Sequence, residues 1–142
     1  IPSGFTGYSA EGQRHQVTNI GENEMKILLI EEKTINPGTE KKENFLHPES
    51  SSPNIYEVLL ENEHVKVMMV TFEAGEGDQM HDHNPMTFHV LQGGKAKVSM
   101  PDGTVNEREI PSGFTGYNPE GQRHQVTNIG DNQVSILLVE HS

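Results

Sequence analysis

The side chains able to do chemistry sit in two short stretches. The first is residues 75–94, GEGDQMHDHNPMTFHVLQGG, where His81 and His83 stand at i and i+2. On a strand that spacing turns both imidazoles to one face, close enough to share a metal ion. Alone the pair is a weak signal, because a chain with 8 histidines in 142 residues meets such spacings by composition, and two solvated surface histidines explain it as well. The second stretch is residues 113–128, GFTGYNPEGQRHQVTN. Pro119 and Gly121 make a tight turn that aims the next strand, and His124 is the first inward residue of that strand. Asn128 is placed to cap or bond backbone at the following corner. This spaced set is much harder to reach by chance.

Strands must hold these residues, and the apolar pattern has the period of strands. Residues 56–61 (YEVLLE), 64–73 (HVKVMMVTFE), 95–100 (KAKVSM), 124–129 (HQVTNI) and 134–140 (VSILLVE) are short and rich in β-branched side chains. Gly, Asn, Asp and Pro punctuate them, and MPDGT at 100–104 has Pro and Gly where a type I or II turn wants them. No long segment has a 3.6-residue period. Many short strands between frequent turns predict an all-β sandwich or barrel. Residues 33–53 are polar and rich in Pro, Ser and Glu, which reads as a linker or a meandering strap. The expected division is therefore a β fragment at 1–32, a linker at 33–53 and a β domain at 54–142.

Together the two stretches resemble the motifs of the cupin family, G-(x)5-H-x-H-(x)3–4-E-(x)6-G and G-(x)5-P-x-G-x-x-H-(x)3-N. Gly75, His81 and His83 fit the start of the first, while Gly113, Pro119, Gly121, His124 and Asn128 fit all of the second. The likeness extends from Tyr56 to the end, and VLQGG at 90–94 is similar to small single-domain cupins. It implies a double-stranded β-helix, or jelly-roll, barrel with His81, His83 and His124 pointing inward at one divalent transition metal: Fe, Zn, Ni, Mn or Cu. The family's Glu ligand falls on Thr87, or on Met86 if VLQGG sets the register, and no Asp or Glu lies between His83 and Gly94. The expectation is a site without that carboxylate. The all-His set resembles cupin dioxygenases, which makes a metal-dependent enzyme on a small oxygenated substrate the leading function, dioxygenase- or isomerase-like. The rival is a non-catalytic cupin that binds a sugar or metabolite, or a storage or structural cupin. Met86 is read as core packing rather than a thioether ligand. His89 is read as a structural strand histidine, and His47, His64 and His141 as surface residues. The inward members of Met86, Phe88, Val90 and Phe114 are expected to shape the pocket.

Composition narrows the partners. A net charge of −11 argues against a nucleic-acid surface and against docking on anionic lipid. No apolar run approaches a membrane span, and the absence of Cys excludes disulfides and thiolate metal sites. The chain is expected to be soluble, in an unassigned compartment, with a small-molecule ligand or substrate.

Residues 1–31 repeat residues 110–140 at an offset of 109, with 24 of 31 positions identical. The first copy keeps Gly4, Gly12, His15 and Asn19, has Ala10 where Pro119 stands, and lacks a preceding His-x-His pair. It reads as the tail of an earlier cupin repeat in a tandem protein, or as a duplicated terminal segment. A chain that opens on Ile rather than Met is expected to be processed, trimmed or cut from something longer. QVTNI and MKILLIE are expected to form a strand pair whose apolar face needs cover from another β surface. That cover is this chain's own barrel or a second subunit's; the second is preferred, because residues 54–142 already supply a full set of strands, and a homo-oligomer, a dimer first, is the expected assembly.

Overall fold

Alternating apolar side chains become strands along most of residues 54–141. In the computed structural model, which describes residues 1–33 and 44–141, the order is α1 (Pro48–Ser51), β1 (Tyr56–Glu61), β2 (Val65–Phe72), β3 (His81–His83), β4 (Met86–Gln92), β5 (Gly94–Ser99), β6 (Val105–Ile110), β7 (Thr115–Asn118), β8 (Gln122–Asn128) and β9 (Val134–His141). The strands form two antiparallel sheets, one ordered β1-β2-β9-β4-β7 and the other β3-β8-β5-β6. The all-β jelly-roll architecture is thus the observed one. No helix among the described residues is long and apolar enough to cross a membrane.

The core lies on the inner face of the larger sheet. Met68, Val70 and Phe72 from β2, Tyr56 from β1, Met86 from β4, and Val134 and Leu138 from β9 form its main cluster. Burying each such side chain is worth about 1.5–3 kcal/mol, so β2 and β9 at the centre of the sheet carry much of the stability. The five strands read from the apolar pattern all form, within two residues at each end. β6 escapes that pattern because VNEREI is exposed along nearly its whole length. It is the edge of its sheet, and Glu109 and Glu107 stand opposite Lys95 and Lys97 of β5. Charge on an edge strand discourages pairing with another chain. MPDGT is the β5–β6 turn, with Gly103 at φ +90° and Met100 N–H donating to Thr104 O at 2.8 Å.

Residues 34–43 of the expected linker lie outside the described residues. Residues 44–53 are a strap rather than a free linker. α1 buries Pro48, and Leu46 exchanges two hydrogen bonds with Asp82 of β3: its N–H to Asp82 Oδ2 at 2.8 Å, and its carbonyl from Asp82 N–H at 2.7 Å.

The chain divides into two units, Ile1–Ile35 and Asn36–Ser142. In the first, the expected strand pair does not form: residues 1–33 hold no ladder, and Ile20, Ile27 and Leu29 are exposed. A lone two-stranded hairpin is marginal in water, because its few cross-strand contacts do not offset the backbone entropy. Its turns are nevertheless formed. Gly4 sits at φ +81°, and Asn19 Oδ1 accepts from Gly21 N–H at 3.0 Å.

Candidate metal centre

Register brings the three histidines together. β3 pairs with β8 so that His81 faces His124 and His83 faces Gln122. Directly opposed residues of an antiparallel pair share a face, as do residues two apart on one strand, so all three rings turn inward. They are buried, at 0%, 3% and 8% exposure for His81, His83 and His124. One ring nitrogen of each lies within 4.8 Å of the others. The opposite face of the same register carries Asp82 against Arg123, a two-pronged pair with Nε–Oδ1 and Nη2–Oδ2 both at 2.8 Å. That pair and the Leu46 strap brace the outside of the strand that presents the site.

Hydrogen bonds on the far side orient two of the three rings. His81 Nδ1 lies 2.7 Å from the Gln79 carbonyl, which can only accept, so Nδ1 carries the proton. His83 Nδ1 lies 2.8 Å from Glu140 Oε1 of β9. The Nε2 atoms of His81 and His83 face each other across the cluster at 2.9 Å. Burial first, and then the neighbouring imidazoles, push His83 and His124 down to about 3, so both are neutral at pH 7. The donor set is thus compatible with a divalent metal.

Glu140 places a carboxylate behind the cluster rather than in it. It comes from β9 rather than from the stretch after His83, and it stands behind His83 on the Nδ1 side. Oε1 also accepts from Asn84 N–H at 3.2 Å, while Oε2 is buried with no hydrogen-bond partner among the described residues. Burial pushes its carboxyl up to about 7, against the opposing pull of Lys66. With His83 neutral, the contact is a hydrogen bond from an imidazole N–H rather than an ion pair, and it orients the ring as carboxylates do behind metal-bound histidines. A lone Glu at the end of VSILLVE gives no sign of this role, since it pairs with a residue 57 positions away.

Two more residues border the site. Tyr56 Oη donates to Asp78 Oδ2 at 2.7 Å and lies 3.3 Å from His81 Nε2. Burial and the adjoining Asp78 hold the Tyr56 phenol well above its ordinary range, so it stays protonated. Asp78 is tied to β8 through Val126, whose N–H donates to Asp78 Oδ1 at 2.8 Å. Burial raises its carboxyl.

The other expected residues fall as follows. Asn128 holds the corner beneath the site: its amide donates to the carbonyls of Phe72, Glu73 and Asn132 at 3.2, 3.2 and 2.8 Å, and its Oδ1 accepts from Gly130 N–H at 3.0 Å. Met86 packs in the core. His89 bonds Thr115 Oγ1 at 2.7 Å on the outer part of β4. Phe114 is half exposed and stacks near Phe88 at 5.9 Å, so it does not wall the histidine cluster. His141 is not a surface residue: it is 7% exposed and its Nε2 lies 2.9 Å from Thr87 Oγ1. Its place at the end of the central strand β9 buries it.

No protein-family model matches the chain, and no curated protein does. Solved structures do. A cupin domain from Bordetella pertussis Tohama I is 26% identical, covers 62% of this chain and 92% of its own, and superposes with a TM-score of 0.57. An RmlC-like cupin family protein with a double-stranded β-helix fold, from Methanocaldococcus jannaschii, is 17% identical over 76% of this chain and 92% of its own, with a TM-score of 0.50.

Proposed function

We propose that this chain, a member of the cupin superfamily by its likeness to solved cupin structures, holds one divalent transition metal on His81, His83 and His124 and uses it on a small oxygenated substrate, in a dioxygenase- or isomerase-like reaction. The observation that carries this reading is the buried cluster in which one ring nitrogen of each of His81, His83 and His124 lies within 4.8 Å of the others. A divalent ion supplies Lewis acidity at a substrate oxygen or one-electron chemistry toward O2. Glu140 fixes the His83 ring from behind. Tyr56 lies beside His81 Nε2 with its one O–H given to Asp78, so its oxygen is left to accept from a substrate hydroxyl. Asp78 orients that phenol.

A non-catalytic cupin that binds a sugar or metabolite is favoured by one observation: both Asp78 oxygens and Glu140 Oε1 are committed to protein partners, which leaves only the buried Glu140 Oε2 as a base. Metal content separates these readings from a purely structural barrel. Protein purified without added metal is expected to carry close to one transition metal per chain. His81→Ala should abolish it and His15→Ala should keep it. Equal loss in the two variants would sink the site. Oxygen uptake by the iron-loaded protein over a panel of small hydroxy and keto compounds then tests catalysis, and a loaded protein inert to all of them would favour the binding reading.

A further inference from the structure

Residues 1–31 copy the strands that complete the barrel, and the copy retains every residue the site draws from that wall. Arg14, His15, Gln16, Asn19, Asn23 and Glu31 stand where Arg123, His124, Gln125, Asn128, Asn132 and Glu140 stand in the second copy. Of the seven differences, only two fall at buried positions of β9, and both exchange one apolar residue for another: Met25 for Val134 and Ile30 for Val139. The other five lie at exposed or half-buried positions.

The free copy is also shaped for the same place. Gly4 has φ +81° where Gly113 has +84°. Phe5 N–H donates to Pro2 O at 3.4 Å, and Phe114 N–H to Pro111 O at 3.3 Å. Asn19 Nδ2 donates to Asn23 O at 2.8 Å and Asn19 Oδ1 accepts from Gly21 at 3.0 Å, the same two bonds that Asn128 makes to Asn132 and Gly130 at the same two lengths. Turns already formed lower the ordering cost of entering a sheet.

Chain connection permits the exchange. The end of β9 lies at Asn84 and Pro85, where Glu140 Oε1 accepts from Asn84 and His141 N–H donates to Pro85 O. The strap begins nearby, where Leu46 bonds Asp82. Asp82 and Pro85 are three residues apart, about 10 Å of extended chain. A copy of β9 ending at Glu31 therefore needs only a short bridge to residue 44, and residues 32–43 reach about 40 Å when extended.

We propose that residues 1–31 are a spare wall, able to enter this chain's own barrel in place of residues 110–140 and to bring His15 to the position of His124 and Glu31 to that of Glu140. The spare frame is the minor one. Met25 is longer than Val134 at a buried position packed against Gly94, and Ala10 lacks the fixed φ of Pro119. The short bridge makes the own barrel the better partner than a second subunit's, in place of the homodimer expected from the repeat. The exchange itself does not rest on the metal reading; only the role of His15 does.

The chain has no Cys, so a disulfide can report where the first copy sits. Ser135 of β9 stands opposite Thr71 of β2, and Lys26 is its counterpart. Opposed residues of an antiparallel pair lie at a Cα separation a disulfide spans. In full-length Lys26→Cys/Thr71→Cys under mild oxidation, an intramolecular 26–71 disulfide should accumulate, more slowly than the 71–135 bond of Thr71→Cys/Ser135→Cys. Adding Leu138→Asp, which puts a charge in the buried face of β9, should speed it at least tenfold. No 26–71 bond in either background, or a bond only between chains, overturns the proposal. A separate arm reads the histidine: His124→Ala should keep part of its metal and lose it when His15→Ala is added. If the parent chain binds no metal, the metal reading fails while the disulfide still decides the exchange.

Discussion

His83 is held from two sides, and the second side sets how well it would serve as a ligand in the proposed centre. Its Nδ1–H bonds Glu140, which no spacing rule connects to it. Carboxylates in that position typically raise metal affinity 10- to 100-fold by fixing the tautomer and raising the basicity of the other nitrogen. Glu140→Ala should therefore weaken metal binding by about 10- to 100-fold while leaving the three ligands in place, and Glu140→Gln should lose less because its amide oxygen still accepts. Competition against a chelator of known affinity measures both. An unchanged affinity in Glu140→Ala would reduce Glu140 to a packing residue. The three histidines were legible because two carry a spacing and the third sits in a five-residue signature. Tyr56, Asp78 and Glu140 were not, since each is a single residue that reaches the site through long-range pairing or hydrogen bonding rather than through its neighbours in the chain.

Elements position the site from outside as well as from within. β3 is only three residues long, too short to read from periodicity, and it has β8 alone as a ladder partner. Its outer residue Asp82 compensates by joining Arg123 of β8 to the strap at Leu46. Asp82→Ala removes the acceptor of Leu46 N–H and should cost about 1 kcal/mol by denaturant melting. The more specific result is local: amide exchange should quicken across residues 44–53 and β3 while β2 and β9 keep their protection. Uniform loss of protection would mean that Asp82 supports the whole barrel rather than the strap. This brace explains why a polar Pro/Ser/Glu-rich stretch, whose composition reads as linker, is partly structure. Its order comes from two backbone bonds to one aspartate and from the buried Pro48, neither of which composition records. The long apolar strands, by contrast, were legible because β2 and β9 place alternate side chains in one core.

For the whole molecule, a second copy of one wall changes how the chain responds to damage in the first. Asn128 is 2% exposed and joins three carbonyls and one N–H at the corner below β8. Asn128→Ala strands those groups and should cost about 3 kcal/mol or more in a chain with only one wall. Residues 33–142 are such a chain, and they keep every residue of the two core clusters. In the full chain the loss should be smaller. Once the damaged frame falls below the spare one, the molecule shifts to the spare frame, so the loss cannot exceed the stability gap between the two. The comparison is a cycle of four melts: both lengths, each with and without the Asn128→Ala substitution. Equal losses at both lengths would show that residues 1–32 are a passive remnant. Solution mass, measured on the same four proteins, checks assembly. If the spare wall serves its own barrel, deleting residues 1–32 leaves the number of chains per particle unchanged, whereas a drop to half would return the segment to an intersubunit role.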